Sequence, residues 1–326
     1  MSTPTSTPTS TRTLETPPRV LPLYIRAAAP LIPGASLLPF LPGGGGQTPS
    51  MRLQLREARA EPDRLAAYSR VCGFTLGAHL PPTYPHVLAF PLHMALMADH
   101  AFPFGAVGVL HVANRIVQHR AIDALEPLAI SAELTSLQPH PRGATFSFVS
   151  EASVDGELVW RETSTMLRLG ARAPDGGRGR ESEPGASSLG PGEGDGVGRG
   201  HPPSPVARWR IRADLGRRYA AVSGDCNPIH LHPLASRALG FASPIAHGMW
   251  TKARCLAHLQ PRLPDAFAVE VRFKKPVVLP SSVELSVAFD GDAVRFLLSE
   301  PKREIVHLRG FVDEPARMAQ ADGGLG

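Results

Sequence analysis

Between residues 282 and 289 apolar and polar side chains alternate. Val283, Leu285, Val287 and Phe289 fall on one face; Ser282, Glu284, Ser286 and Ala288 fall on the other. A period of two predicts a strand with one buried face. Comparable stretches predict strands over 267–279, 293–299 and 304–313, and an earlier set over 108–122, 128–138, 143–153 and 157–169. Val154-Asp155-Gly156-Glu157 and Phe289-Asp290-Gly291-Asp292 have the chemistry of tight hairpin turns. The period lengthens over 246–260, where Met249, Trp250, Ala253, Leu256 and Ala257 recur at helical spacing. Each set of long strands follows a short strand, a helix with a Gly-containing turn, and an apolar helix. That order predicts an α+β protein in which an antiparallel sheet wraps around a buried central helix in each of two halves.

The halves resemble each other in detail. Tyr68-Ser69-Arg70-Val71-Cys72-Gly73-Phe74 parallels Tyr219-Ala220-Ala221-Val222-Ser223-Gly224-Asp225, and Phe148-Val149-Ser150-Glu151 parallels Leu297-Leu298-Ser299-Glu300. The offset is 151 at the glycine and 149 at the Ser-Glu pair. A nearly constant offset across separated matches indicates duplication of a whole fold. Ala171 to Gly200 holds ten glycines and separates the copies; such a composition makes a flexible linker. The expected organisation is an N-terminal tail over 1–50, a first repeat over 51–170, a linker over 171–205, a second repeat over 206–315 and a C-terminal tail over 316–326.

Composition narrows the function classes. The chain has 326 residues, 43% of them hydrophobic and 19% charged, with a net charge of +5. No Lys/Arg block is long enough for a nucleic-acid arm. Cys72, Cys226 and Cys255 are odd in number and widely spaced, which argues for a reducing, cytoplasmic compartment and against a disulfide framework. The Thr/Ser/Pro-rich start lacks the pattern of a secretory signal. Residues 19–43 are fairly apolar, but Arg26 and five prolines interrupt them, so no membrane span is expected. The simpler expectation is a tail that packs over the domain behind it.

The chemistry concentrates in Tyr219 to His230. Ser223-Gly224-Asp225-Cys226-Asn227-Pro228-Ile229-His230 places a carboxylate, an amide and an imidazole within six residues, with Gly and Pro forcing irregular backbone. Asp225 and His230 can therefore converge on one small molecule, activate a water and pass on a proton. Ser243-Pro244-Ile245-Ala246-His247-Gly248-Met249 leads into the apolar helix, and N–H groups at a helix start are free to hold a developing oxyanion.

These residues resemble the MaoC-type, hot-dog-fold dehydratases, the (R)-specific enoyl-thioester hydratases. The motif Tyr, spacer, Ser/Thr-Gly-Asp-x-Asn-Pro-x-His is complete from Tyr219 to His230. Pro-x-x-His-Gly-Met stands at Pro244 to Met249, and a basic-Phe-x-x-Pro-Val strand at Arg272 to Val277. In the first half, Leu80 to Pro85 and Phe90 to Met94 resemble the N-terminal repeat of bacterial two-hot-dog 3-hydroxyacyl-thioester dehydratases. The chain departs from the family at Leu279-Pro280-Ser281-Ser282, where many members have Pro-Gly-Asp. The resemblance implies a double hot-dog and reversible hydration of trans-2-enoyl thioesters to (R)-3-hydroxyacyl thioesters. It implies no resident cofactor, since coenzyme A or a carrier-protein phosphopantetheine arrives as part of the substrate. The expected catalytic residues are Asp225 and His230, with Gly248 N–H as oxyanion donor and Asn227 orienting the pair or shaping the turn. Arg272, Lys274, Lys275 and Arg254 are candidate contacts for the carrier phosphates. A monomer would already be a pseudo-dimer; a homodimer is the alternative.

Alignment on the glycines sets Phe74 opposite Asp225, Leu76 opposite Asn227 and His79 opposite His230. The first copy has lost its carboxylate and is expected to serve as a wall for the acyl chain. Each motif residue also has a plainer reading. Asp225 alone is a common turn cap, His230 alone a core histidine, and Cys226 a small filler. His230, His232 and His247 with Asp225 could suggest a metal site, but no fourth ligand is evident and no metal is expected. Ser223 and Ser243 lack a hydrolase nucleophile's setting. A hot-dog thioesterase and a non-catalytic acyl-binding subunit are the competing functions.

Overall fold

A computed structural model describes residues 10–28, 48–105, 108–171, 204–238 and 240–318. Two elements lie within the segment read as a tail: strand β1 (Ser10–Leu14) and helix α1 (Val20–Ala28). The first half continues with β2 (Met51–Ala58), α2 (Pro62–Cys72), α3 (Tyr84–Met97), β3 (Val109–Gln118), β4 (Leu128–Leu134), β5 (Gln138–His140), β6 (Gly143–Val154) and β7 (Glu157–Leu169). The second half has β8 (Pro205–Ile211), α4 (Leu215–Ser223), the short helices α5 (Pro228–Leu231) and α6 (Pro233–Ala238), and α7 (Gly248–Leu259). It ends with β9 (Phe267–Phe273), β10 (Ser281–Asp290), β11 (Ala293–Glu300) and β12 (Ile305–Asp313). Residues 172–203 of the expected linker lie outside the described residues, as do 319–326 of the C-terminal tail.

The strands form one sheet in the order β1-β2-β4-β6-β7-β3-β9-β12-β11-β10-β8, with β5 paired to β6. The two halves join where β3 and β9 pair antiparallel, with Asn114 opposite Val271 and Ile116 opposite Val269. Ile116, Val269 and Val271 are fully buried there, so the seam is continuous with the core. The apolar helices α3 and α7 are the central helices of the two halves. Met249, Trp250, Ala253, Leu256 and Ala257 of α7 are all buried, as their spacing predicts. Each large apolar side chain so buried contributes roughly 1.5–3 kcal/mol.

The duplication is visible in three dimensions. Helices α2 and α4 both end at a left-handed glycine, Gly73 (φ 88°) and Gly224 (φ 84°), which accepts that conformation without a Cβ penalty. The equivalent tyrosines Tyr68 and Tyr219 touch, with ring centroids 6.1 Å apart. Across the same seam Arg64 Nε donates to the Val222 carbonyl (2.8 Å) and Trp250 Nε1 to the Val71 carbonyl (3.0 Å).

Three expectations change. The strand expected over 267–279 ends at Phe273, because Lys274 N–H turns to the His307 carbonyl and Pro276 follows without an N–H. The segment 128–138 divides into β4 and β5. The polar face of β10 is covered at its centre, where Ser286 is buried and Glu284 is buried beneath Arg208 of β8, which donates to it at 2.7 Å; Ser282 stays exposed. Phe289, at the far end of the apolar face, is instead exposed beneath the Arg262 guanidinium.

Candidate active site

Helix α4 stops at Gly224, and the chain turns through Asp225 and Cys226 before α5 begins. Ser223 holds this turn, donating to the Tyr219 carbonyl (2.8 Å) and accepting from Asp225 N–H (3.1 Å). Asn227 caps α5: its Oδ1 accepts from Ile229 N–H (3.4 Å), and Pro228 occupies the first helical position. Asn227 shapes the turn through its side chain, and its main-chain N–H also reaches Asp225 Oδ1 at 3.2 Å. Gly216 lets α4 pass close to α5, since a Cβ there would lie 1.8 Å from the His230 carbonyl oxygen.

The turn delivers three groups to one place. A carboxylate oxygen of Asp225 and one ring nitrogen each of His230 and His247 lie within 4.8 Å of one another. Asp225 Oδ1 accepts from the Tyr24 hydroxyl at 2.6 Å and from Asn227 N–H at 3.2 Å. Its Oδ2 lies 3.9 Å from His247 Nε2. His230 is buried, and its Nδ1 lies 2.8 Å from the Ile245 carbonyl. A carbonyl only accepts, so Nδ1 carries the proton and the neutral ring presents a bare Nε2. His247 stacks on His230 with centroids 3.7 Å apart and directs Nε2 at the Asp225 carbonyl, 3.0 Å away. One nitrogen of each ring is thus committed to the main chain.

Charges follow from this environment. Burial is the largest influence on Asp225 and favours the neutral acid. The two imidazoles, the Tyr24 hydroxyl and Asn227 N–H outweigh it and hold the carboxyl below its ordinary range. Burial holds His230 below its usual value and His247 down to about 3. Near neutral pH the cluster is a carboxylate facing two neutral imidazoles.

Helix α7 starts at Gly248, directly after His247. Gly248 is half-buried between the buried His247 and Met249. As the first helical residue it lacks a partner in the helical ladder, and the Pro244 carbonyl is taken by Leu279 N–H (2.8 Å). An N–H at the positive end of a helix therefore follows directly on His247 of this cluster.

The other expected residues divide. Lys274 and Lys275 are exposed. Arg272 lies 3.4 Å from Glu270 on the same strand and is mostly covered. Arg254 stacks over Trp209 and donates to the Cys72 carbonyl (3.3 Å), so it ties the halves together. Cys226 is half-buried, and burial together with Asp225 raises its thiol pKa, which leaves it no nucleophile. Ser243 donates to the Leu279 carbonyl and His232 is exposed. In the first half Phe74 is buried where Asp225 has its counterpart, and His79 is exposed on a bridge to Asp123.

Tyr24 was not anticipated. It sits in a Pro-interrupted apolar stretch without a motif. The available signal was its scarcity: the chain has only four tyrosines, three of them on helices of the two repeats.

Comparison with known proteins agrees with this geometry. The MaoC-like domain family matches residues 199–304. The 3-hydroxyacyl-thioester dehydratase X of Mycobacterium tuberculosis is 37% identical over 277 residues, 85% of this chain and 91% of that protein. The crystal structure of HtdX from the same organism superposes with a TM-score of 0.69 at 33% identity, covering 81% of this chain and 99% of that one. A MaoC-like dehydratase from Phytophthora capsici shares the fold, with a TM-score of 0.61 at 18% identity. With its duplicated helix-wrapping sheet and its Asp-Asn-His turn, the chain belongs to the double hot-dog MaoC-like dehydratases.

Proposed function

We propose that the protein catalyses the reversible addition of water to a trans-2-enoyl thioester, giving the (R)-3-hydroxyacyl thioester, with Asp225 and His230 as the acid–base pair. The observation that carries this reading is the convergence of an ionised carboxylate and a neutral imidazole beside the start of α7.

In the hydration direction, Asp225 Oδ2 and His230 Nε2 hold one water between them. The water oxygen bonds to C3 as its proton passes to the pair, and C2 gains a proton from the same pair or water. Charge that builds on the thioester oxygen is met by Gly248 N–H. A donor of this kind contributes ~2.7–4 kcal/mol at the transition state. Dehydration reverses each step. His247 supports the arrangement by holding the Asp225 carbonyl and packing on His230.

The first half supplies a surface for the acyl chain, because the buried Phe74 stands where a second catalytic turn would need its carboxylate. The exposed Lys274 and Lys275 are free to meet the phosphates of coenzyme A or of a carrier-protein arm. No further cofactor and no metal is required by this chemistry. Among the described residues no helix is long and apolar enough to cross a membrane; with three free cysteines, a cytoplasmic setting is the consistent one. One chain contains both halves of the sheet, so a monomer could be complete, and a homodimer is the alternative.

The competing thioesterase reading is separated by one assay. Crotonyl-CoA is mixed with the protein, and enoyl absorbance and free thiol are followed together. Loss of absorbance without thiol is expected; stoichiometric thiol release would overturn the proposal in favour of hydrolysis.

A further inference from the structure

Helix α1 belongs to neither repeat, yet it reaches the catalytic turn. Strand β1 lies parallel to β2, with Ser10 opposite Met51 and Leu14 opposite Leu55, at the outer edge of the first half. A five-residue connection, 15–19, leads to α1. Ala27 is fully buried, and Leu23 and Tyr24 pack against the core. The Tyr24 ring lies 6.5 Å from that of Phe90 on α3, and its hydroxyl donates to Asp225 Oδ1 across 201 positions of sequence.

That contact divides the carboxylate. Oδ1 holds two donors, the Tyr24 hydroxyl at 2.6 Å and Asn227 N–H at 3.2 Å. Among the described residues no hydrogen bond reaches Oδ2; His247 Nε2 lies 3.9 Å from it. Burial and the facing carboxylate keep the phenol protonated far beyond its usual range, so toward Asp225 Tyr24 donates, while its oxygen accepts from the Cys226 main chain.

We propose that Tyr24 is a positioning residue for the reaction: it fastens Asp225 Oδ1 so that Oδ2 is the oxygen left to work on the water. The proposal rests on the assignment of Asp225 as a member of the acid–base pair. The N-terminal strand and helix thereby become part of the active site, and β1 is the anchor that keeps α1 in place.

The test is the pH profile of kcat/KM for Tyr24→Phe, read by crotonyl-CoA hydration. The titratable and charged groups near Asp225 are Tyr24 on α1, Tyr219 on α4, Cys226, His230 on α5, His247 before α7, His111 on β3 and Arg64 on α2. Of these the substitution changes only Tyr24. Losing a hydrogen bond to the ionised carboxylate raises the pKa of Asp225, so the acid limb moves to higher pH. A hydrogen bond to a charged group corresponds to a shift of about one pH unit or more and to about a tenfold fall in kcat, with KM within about threefold. Tyr24→Leu removes the ring as well. If Phe behaves as Tyr while Leu is impaired, Tyr24 is packing and the proposal is overturned; a fall in kcat with an unmoved acid limb overturns it too. Asp225→Asn is measured alongside. Near-normal turnover of that variant would remove the assignment of Asp225 itself. An inactive Asp225→Asn beside an unperturbed Tyr24→Phe would remove the positioning role alone.

Discussion

His230 shows how a single hydrogen bond decides a chemical role. Its Nδ1 is spent on the Ile245 carbonyl, and burial keeps the ring neutral, so Nε2 is left unprotonated and is the atom the proposed reaction uses. Its counterpart by alignment, His79, is exposed, and among the described residues no side-chain hydrogen bond or ion pair joins it to a carboxylate. Replacing His79 with Ala should therefore leave crotonyl-CoA turnover within a few-fold of the unmodified protein. A loss comparable to that of a general acid–base group, ~10²–10⁴-fold, would mean that the first half is catalytic after all.

Helix α7 has a second task besides presenting Gly248. Lys252 is wholly buried on it and donates to three oxygens: the main-chain carbonyls of Asn114 (3.4 Å) and Val269 (3.3 Å) and Asn114 Oδ1. Asn114 Nδ2 donates in turn to Glu162 Oε1 (2.6 Å), whose other oxygen lies 2.9 Å from His86 Nδ1 on α3. A polar chain thus runs between the two central helices through the β3–β9 seam. Lys252→Met leaves the oxygens of Asn114 and Val269 without their donor. Leaving buried acceptors without their donor costs about 1–3 kcal/mol, so the urea midpoint should fall; an unchanged midpoint would show that the network contributes little.

The elements differ in how far the sequence reveals them. The strands of each repeat and helix α7 announce themselves because their side chains alternate or recur against a core. The Ser223–His230 turn does so because Gly, Pro and an Asx residue leave few backbone alternatives. Strand β1 carries no such mark: Ser10, Thr11 and Arg12 are exposed, and it is held by main-chain bonds to the edge of β2, which any residue but proline can make. Arg254 reads as a basic phosphate ligand, and only the packing of α7 on α2 shows it occupied with Trp209 and Cys72. Long-range partners such as Tyr24 and Asp225 leave no local pattern at either end.

At the scale of the molecule, the joined halves bury imidazoles that must stay neutral. His93 packs on Phe148 and bonds Ser150, and burial lowers it to about 3; His247 is held at about 3 by the same cause. A group whose folded pKa lies below its unfolded value of about 6.5 confers stability that is complete above pH 6.5 and is lost as pH falls toward 3. Each ring contributes a slope of about 1.4 kcal/mol per pH unit in that window. The melting temperature should thus decline as pH drops from 6.5 toward 5. A flat profile across the acid range would show that these rings ionise freely in the folded protein.

In the proposed reaction the second half performs the chemistry with a carboxylate that its twin has lost. The most direct test is the turnover number of Asp225→Asn with crotonyl-CoA, measured on protein whose melting curve matches the unmodified chain. A fall of ~10²–10⁴-fold is expected, because the amide keeps the shape and loses the base. Turnover within a few-fold of the unmodified protein would contradict it.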